Sequence, residues 1–226
     1  NSNLLEATIN LKNIKIINLG SSCIYPLNAP NPIKESSFMN GVLEPTNSPY
    51  AMAKLTAIEL GRAMAIEYGH KILNLMPTNL YGPNDNFSPI DSHVIPGLMY
   101  RMHISKRDGM DSFNIWGTGK PLREFLYVED FADAIDFLIK SDWSEDLINI
   151  GSGQEISIKE LSETIKDIVG FDGILEFDDS KPDGNPRKLL DSSLIFEKGW
   201  KPRTSLEDGL TKTYKWLQDN QEIIRF

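Results

Sequence analysis

Two rhythms of apolar and polar positions alternate along this chain. Lys15–Ser21 (KIINLGS) and Lys71–Thr78 (KILNLMPT) are short continuous apolar runs, the pattern of strands buried on both faces of a parallel sheet. Between them, Pro49–Tyr68 repeats Ala, Met, Ile and Leu at helical spacing. Its apolar positions (Ala51, Met52, Leu55, Ala57, Ile58, Leu60, Ala63, Met64, Ala65, Ile66) lie on more than one face, so this helix is expected to be covered on both sides. Pro26–Ser48 is rich in Pro, Asn and Ser and reads as a long loop, a length that usually carries function. The alternation predicts a parallel α/β sheet.

Further elements follow the same logic. His93–Ser105 reads as a helix interrupted early by Pro96, and FNIWGTGKP as a short strand with a glycine turn. YVEDFADAIDFLIK is an amphipathic helix with Glu129 and Asp130 near its N-terminus, where the helix dipole favours them. LINIGSG is a strand ending in a glycine turn, and ISIKELSETIKDIVG is a helix that Gly170 closes. ILEFDDSKPDGNPRK reads as a strand and a polar loop, and a terminal helix begins at its cap, Ser205. At the other end, Asn1–Asn10 reads as the tail of a helix.

The bulk numbers narrow the picture. A chain of 226 residues supports a sizeable core, in one large or two small domains. The net charge of −9 argues against a general nucleic-acid binder, and no apolar run approaches membrane-spanning length. The one cysteine, Cys23, has no internal disulfide partner, which points to a reducing, cytoplasmic compartment. No GxGxxG or GxxGxxG occurs among the 16 glycines, although a dinucleotide fold normally opens with such a turn. The expectation is a partial Rossmann sheet, doubly wound and parallel, that lacks its first strands. Roughly eighty further residues, the length of a βαβαβ half with its crossover, are then expected ahead of Asn1. Residues 1–226 alone are expected neither to bind a dinucleotide tightly nor to turn over.

The candidate chemistry clusters early. Tyr50 and Lys54 (PYAMAK) stand one helical turn apart on one face, and an ammonium there favours the phenolate and makes the phenol a better acid. Ser21 and Ser22 end an apolar strand, where a doubly wound sheet gathers its ligands. Each residue also has an ordinary structural reading: turn serines, a surface lysine beside a half-buried tyrosine, a thiol packed as a small hydrophobe.

LGSSCIYP, PYAMAK, PTNLYGPNDNF and KPDGNPRK, taken in order, resemble the GDP-L-fucose synthase family of extended short-chain dehydrogenase/reductases over essentially the whole chain. The resemblance implies a Rossmann domain at residues 1–82 and 128–153, interleaved with a smaller α/β substrate domain at 83–127 and 154–226. It implies NADP as cofactor, held by Leu19, Gly20, Ser21, Ser22, Tyr50, Lys54, Pro77, Thr78, Asn79, Leu80 and His93. Tyr50 becomes the general acid at the sugar C4 oxygen, with Lys54 beside it and Ser21 hydrogen-bonding the carbonyl. Cys23 and His93 become the acid–base pair that inverts C3 and C5, and their reference pKa values near ~8.5 and ~6.5 bracket neutral pH. Arg101, Trp116, Arg123, Lys181, Asp183 and Arg187 are implied to hold a GDP-sugar, the three arginines converging on its pyrophosphate. The helix Pro49–Tyr68 is implied to build a homodimer. No metal, nucleic acid or membrane is called for. A 4-epimerase, a 4,6-dehydratase and a non-catalytic GDP-sugar-binding remnant remain the alternatives.

Overall fold

The computed structural model describes residues 2–12 and 14–223. Asn1 and Phe226, the expected outer limits of the two domains, lie outside the described residues. Along the chain run α1 (Ser2–Thr8), β1 (Lys15–Leu19), α2 (Ser48–Tyr68), β2 (Lys71–Pro77), β3 (Asn79–Tyr81), α3 (Val94–Arg107), β4 (Ser112–Trp116) and β5 (Leu122–Tyr127). There follow α4 (Val128–Lys140), β6 (Leu147–Ile150), β7 (Glu155–Ser157), α5 (Ile158–Val169), β8 (Ile174–Asp178), β9 (Arg187–Lys188), α6 (Ser193–Glu197) and α7 (Leu206–Asp219).

The elements gather into two compact units. The first takes residues up to Thr78, Phe131–Gly153 and Leu189–Pro202. Its sheet is parallel, in the order β1-β2-β6, the arrangement the apolar runs called for. β2 lies between its two neighbours and is buried from Ile72 through Pro77, whereas β1 is half-exposed. Ile24, Tyr25, Ile33, Leu55, Ile58, Met76, Leu147 and Leu190 form a core of this unit.

The second unit takes Asn79–Asp130, Gln154–Lys188 and the chain from Arg203 onward. β5 is central to a small mixed sheet, parallel to β3 and β9 and antiparallel to β7, while β4 and β8 form a separate parallel pair. Its core draws on α3, α5 and α7, through residues such as Met99, Ile165 and Leu210.

This division differs from the expected one. The breaks fall after Thr78 and Asp130 rather than at Gly82 and Val128, and residues 189–202 pack with the first unit. The reason lies in the LL pair that follows the polar loop. Leu190 is 2% exposed, and the backbone here bonds the 31–33 segment through Ile33 N–H to Leu189 O and Asp191 N–H to Ile33 O, both 2.8 Å. Pro96 does not interrupt its helix either. It is the third residue of α3, in the first turn, where a backbone N–H has no helical partner to lose.

Candidate active site

The site starts where β1 stops. Gly20 donates its N–H to Leu75 O at 2.8 Å, and a Cβ there would stand 2.2 Å from Met76 Cε, so any larger residue would have to displace that buried side chain. Ser21 then leaves the strand and caps a short 3-10 turn, Ser22–Ile24, its Oγ accepting the Cys23 N–H at 3.2 Å. That bond uses a lone pair and leaves the hydroxyl proton available as a donor. Ser22 and Ile24 are buried, while Cys23 between them is half-buried. The turn therefore buries the residues on either side of Cys23 and leaves Cys23 itself only half-buried.

Tyr50 and Lys54 occupy the first turns of α2, as their spacing required. Tyr50 is half-exposed, and the Lys54 ammonium stands 5.7 Å from the centre of its ring. Lys54 Nζ also donates to Leu19 O at 2.8 Å. One of its three N–H bonds thus ties the Tyr–Lys helix to the strand end that delivers Ser21 and Cys23. Pro77 and Thr78 are buried at the end of β2, with Thr78 N–H donating to Ile150 O at 3.0 Å. Asn79 and Leu80 belong to β3 in the second unit, where Asn79 Nδ2 donates to Glu124 O at 2.8 Å.

The sequence reading missed a buried polar hub. Asn149, fully buried on β6, accepts the Tyr25 hydroxyl at 2.6 Å. Its Nδ2 donates to Ile33 O at 2.9 Å and to Asp191 O at 3.2 Å, and its backbone N–H donates to Glu35 Oε1 at 3.0 Å. Burial pushes the Tyr25 phenol far above its ordinary range, so it stays a donor, and burial likewise raises the Glu35 carboxyl. The available signal was the lone polar residue inside the apolar run LINI.

The remaining candidates lie in the second unit. His93 is the N-cap residue of α3, highly exposed, with Nδ1 3.8 Å from Asp85 Oδ1. The Asp85 carboxylate raises the imidazole above its ordinary value, against the opposing effect of desolvation. At that distance the contact is an ion pair rather than a full hydrogen bond. Trp116 ends β4 and is 71% exposed. The turn that follows it is pinned from the 181–188 loop: Asp183 accepts the Thr118 N–H at 2.9 Å and the Thr118 hydroxyl at 2.7 Å. Asp183 therefore has an internal partner on each carboxylate oxygen, and these bonds lower its pKa.

Arg123 and Arg187 sit on the paired strands β5 and β9. Gly184 approaches Arg123 so closely that a Cβ would be 3.1 Å from Nη2, which brings Arg123 beside the loop carrying Lys181. Arg187 is in an ion pair with Glu155, 2.8 Å. Arg101 has other partners: Nε donates to Gly97 O, and the guanidinium lies over Phe113 at 5.3 Å. Burial lowers its pKa. Among the described residues no cluster has metal-ligand geometry, and no helix is long and apolar enough to cross a membrane.

These features can be set beside known proteins. Residues 1–151 match the NAD dependent epimerase/dehydratase family. A GDP-L-fucose synthase of Escherichia coli (strain K12) is 45% identical over 99% of this chain and 73% of its own length. The chain belongs to the GDP-L-fucose synthase family, within the epimerase/dehydratases. Another relative of this family, GDP-L-fucose synthase 1 of Arabidopsis thaliana, is 53% identical over 91% of the chain and 64% of its own. A GDP-L-fucose synthetase from Naegleria fowleri, solved bound to NADP, superposes with a TM-score of 0.92 at 32% identity, covering 100% of this chain and 72% of that one. The chain spans about two thirds of the length of the curated GDP-L-fucose synthases it matches.

Proposed function

We propose that this chain carries the catalytic residues of an NADP-dependent enzyme that converts GDP-4-keto-6-deoxy-D-mannose to GDP-L-fucose, by epimerisation at C3 and C5 and reduction at C4. The observation that carries the reading is the Lys54–Leu19 bond, which fixes the Tyr–Lys helix to the strand end bearing Ser21 and Cys23. Relatives named GDP-L-fucose synthase, at up to 53% identity, support the substrate, and the NADP-bound relative supports the cofactor.

The residues fit NADP. Lys54 keeps two N–H donors beyond its bond to Leu19, suited to ribose hydroxyls, at the carboxyl end of a parallel sheet. The backbone of Leu19–Ser22 and the buried Pro77–Thr78 pair line the same sheet end. Asn79, Leu80 and His93 complete the proposed cofactor set. Bound NADPH supplies a hydride to C4. Tyr50 gives its phenolic proton to the C4 oxygen, and Ser21 donates a hydrogen bond to that oxygen beforehand. Cys23, as thiolate, removes the acidified C3 or C5 proton and leaves an enolate, to which the His93 imidazolium returns a proton. The raised His93 pKa suits an acid that must hold its proton near neutral pH.

Arg101, Trp116, Arg123, Lys181 and Arg187 are assigned to the GDP-sugar, with Asp183 holding the Trp116 turn. The first unit is then the cofactor domain and the second the nucleotide-sugar domain. Met52, Leu60 and Ile66 leave α2 with apolar side chains exposed, which supports a homodimer built on that helix. The cytoplasm is the assigned location, in keeping with a single cysteine that has no internal disulfide partner.

The test uses the full-length protein. Tyr50→Phe abolishes NADPH consumption and still takes up solvent deuterium into the keto sugar. Cys23→Ala stops that uptake. Wild-type reduction by the first variant, or wild-type exchange by the second, refutes the assigned role.

A further inference from the structure

We infer that Tyr25 and Asn149 are positioning residues for Cys23, tuning the proton-abstraction step apart from hydride transfer. The inference rests on the reading of Cys23 as the base.

The turn that presents Cys23 is only three residues long, and its own backbone bonds are long: Ile24 N–H to Ser21 O at 3.2 Å and Tyr25 N–H to Ser22 O at 3.3 Å. Such a turn holds its orientation through its flanks. On one side the Ser21 Oγ takes the Cys23 N–H. On the other, two residues on, the Tyr25 phenol reaches the buried Asn149 carbonyl at 2.6 Å, while Ile24 anchors in the core. The orientation of Asn149 is itself determined, because its NH₂ faces two backbone carbonyls, Ile33 O and Asp191 O. Glu35 accepts the Asn149 backbone N–H and closes the cage. The 22–25 turn, the 33–35 segment and Asp191 therefore converge on one residue of β6, Asn149, which is assigned no contact with substrate. Within the first unit this couples the sulfur's placement to a hydrogen-bonded network, whereas Lys54 is hydrogen-bonded to Leu19 and α2 meets Tyr25 through the apolar core contacts of Leu55 and Ile58.

Loss of the Tyr25 hydroxyl leaves a buried acceptor unpaired and lets the turn relax. Proton transfer depends steeply on such placement. Tyr25→Phe in the full-length protein is expected to slow deuterium exchange into the keto sugar about tenfold. The reverse hydride step, GDP-L-fucose to NADP⁺ in a single turnover, needs no epimerisation and should stay within about twofold. Glu35→Ala, which spares the phenol and removes only the acceptor of the Asn149 N–H, should move exchange alone by a smaller factor; it carries the test if Tyr25→Phe fails to fold. A purely structural hub would slow both steps together, and that result, or unchanged exchange, overturns the inference. Cys23→Ala separates the two claims. If it abolishes exchange while Tyr25→Phe does not, positioning fails and the base assignment stands. If Cys23→Ala exchanges normally, the base assignment itself fails.

Discussion

Gly209→Ala sets two effects of opposite sign against each other. Gly209 is the fourth residue of α7, and by intrinsic propensity an alanine inside a helix stabilises by about 1 kcal/mol. A Cβ at Gly209, however, would stand 2.1 Å from the Tyr81 hydroxyl and 2.9 Å from its Cζ. Tyr81 cannot easily give way. It is 3% exposed, held edge-on between Phe125 and Tyr127 with ring centres 6.4 and 5.8 Å away, and donates to Leu206 O at 3.3 Å. Overpacking of this kind costs about 1–3 kcal/mol, so the expected net, after the propensity gain, is a loss of up to about 2 kcal/mol. Tyr81→Phe removes the 2.1 Å contact and leaves the milder one. In that background the cost of Gly209→Ala should shrink by about 1 kcal/mol, a coupling that a double-mutant cycle reads directly. Urea unfolding of the four proteins supplies the numbers. A Gly209→Ala protein more stable than its parent, or strict additivity with Tyr81→Phe, refutes the packing argument.

Two further outcomes bear on function. Asp85→Asn removes the charge that raises His93, so the imidazolium is lost at lower pH and the basic limb of C3/C5 exchange moves down the pH scale; an unmoved limb denies His93 its role as acid. Thr118→Val deletes the hydroxyl bonded to Asp183 and should raise KM for the GDP-sugar severalfold while kcat holds, since the chemistry lies elsewhere; an unchanged KM detaches the Trp116 turn from binding.

The local signals were legible where they were strong. Continuous apolar runs gave β1, β2 and β6, and the caps gave the limits of α5 and α7, where Gly170 is left-handed at φ 69° and Ser205 accepts the Asp208 N–H. The four-residue spacing of Tyr50 and Lys54 was enough to set them on one helix face. Long-range pairing was not legible. β5 hides inside PLREFLY, half of which reads as the approach to α4, and β9 is only two residues long. The return of residues 189–202 to the first unit depends on Ile33, more than 150 positions earlier, and no local pattern encodes such a partner. The Asn149 hub is the same case: one odd polar residue was visible, but its four partners come from three distant segments.

The clasp between Thr118 and Asp183 bears on how binding surfaces of this kind can be re-engineered. The exposed Trp116 ends β4, but the turn that follows it is held by the Asp183 carboxylate, 65 positions beyond Thr118. Transplanting residues 181–188 from a relative with different sugar preference would replace the carboxylate that the resident Thr118 hydroxyl latches onto. Transplanting 116–120 alone would strand that carboxylate. The unit of exchange is the pair, so swaps that move both halves should retain a seated tryptophan, and swaps that move one should leave it adrift.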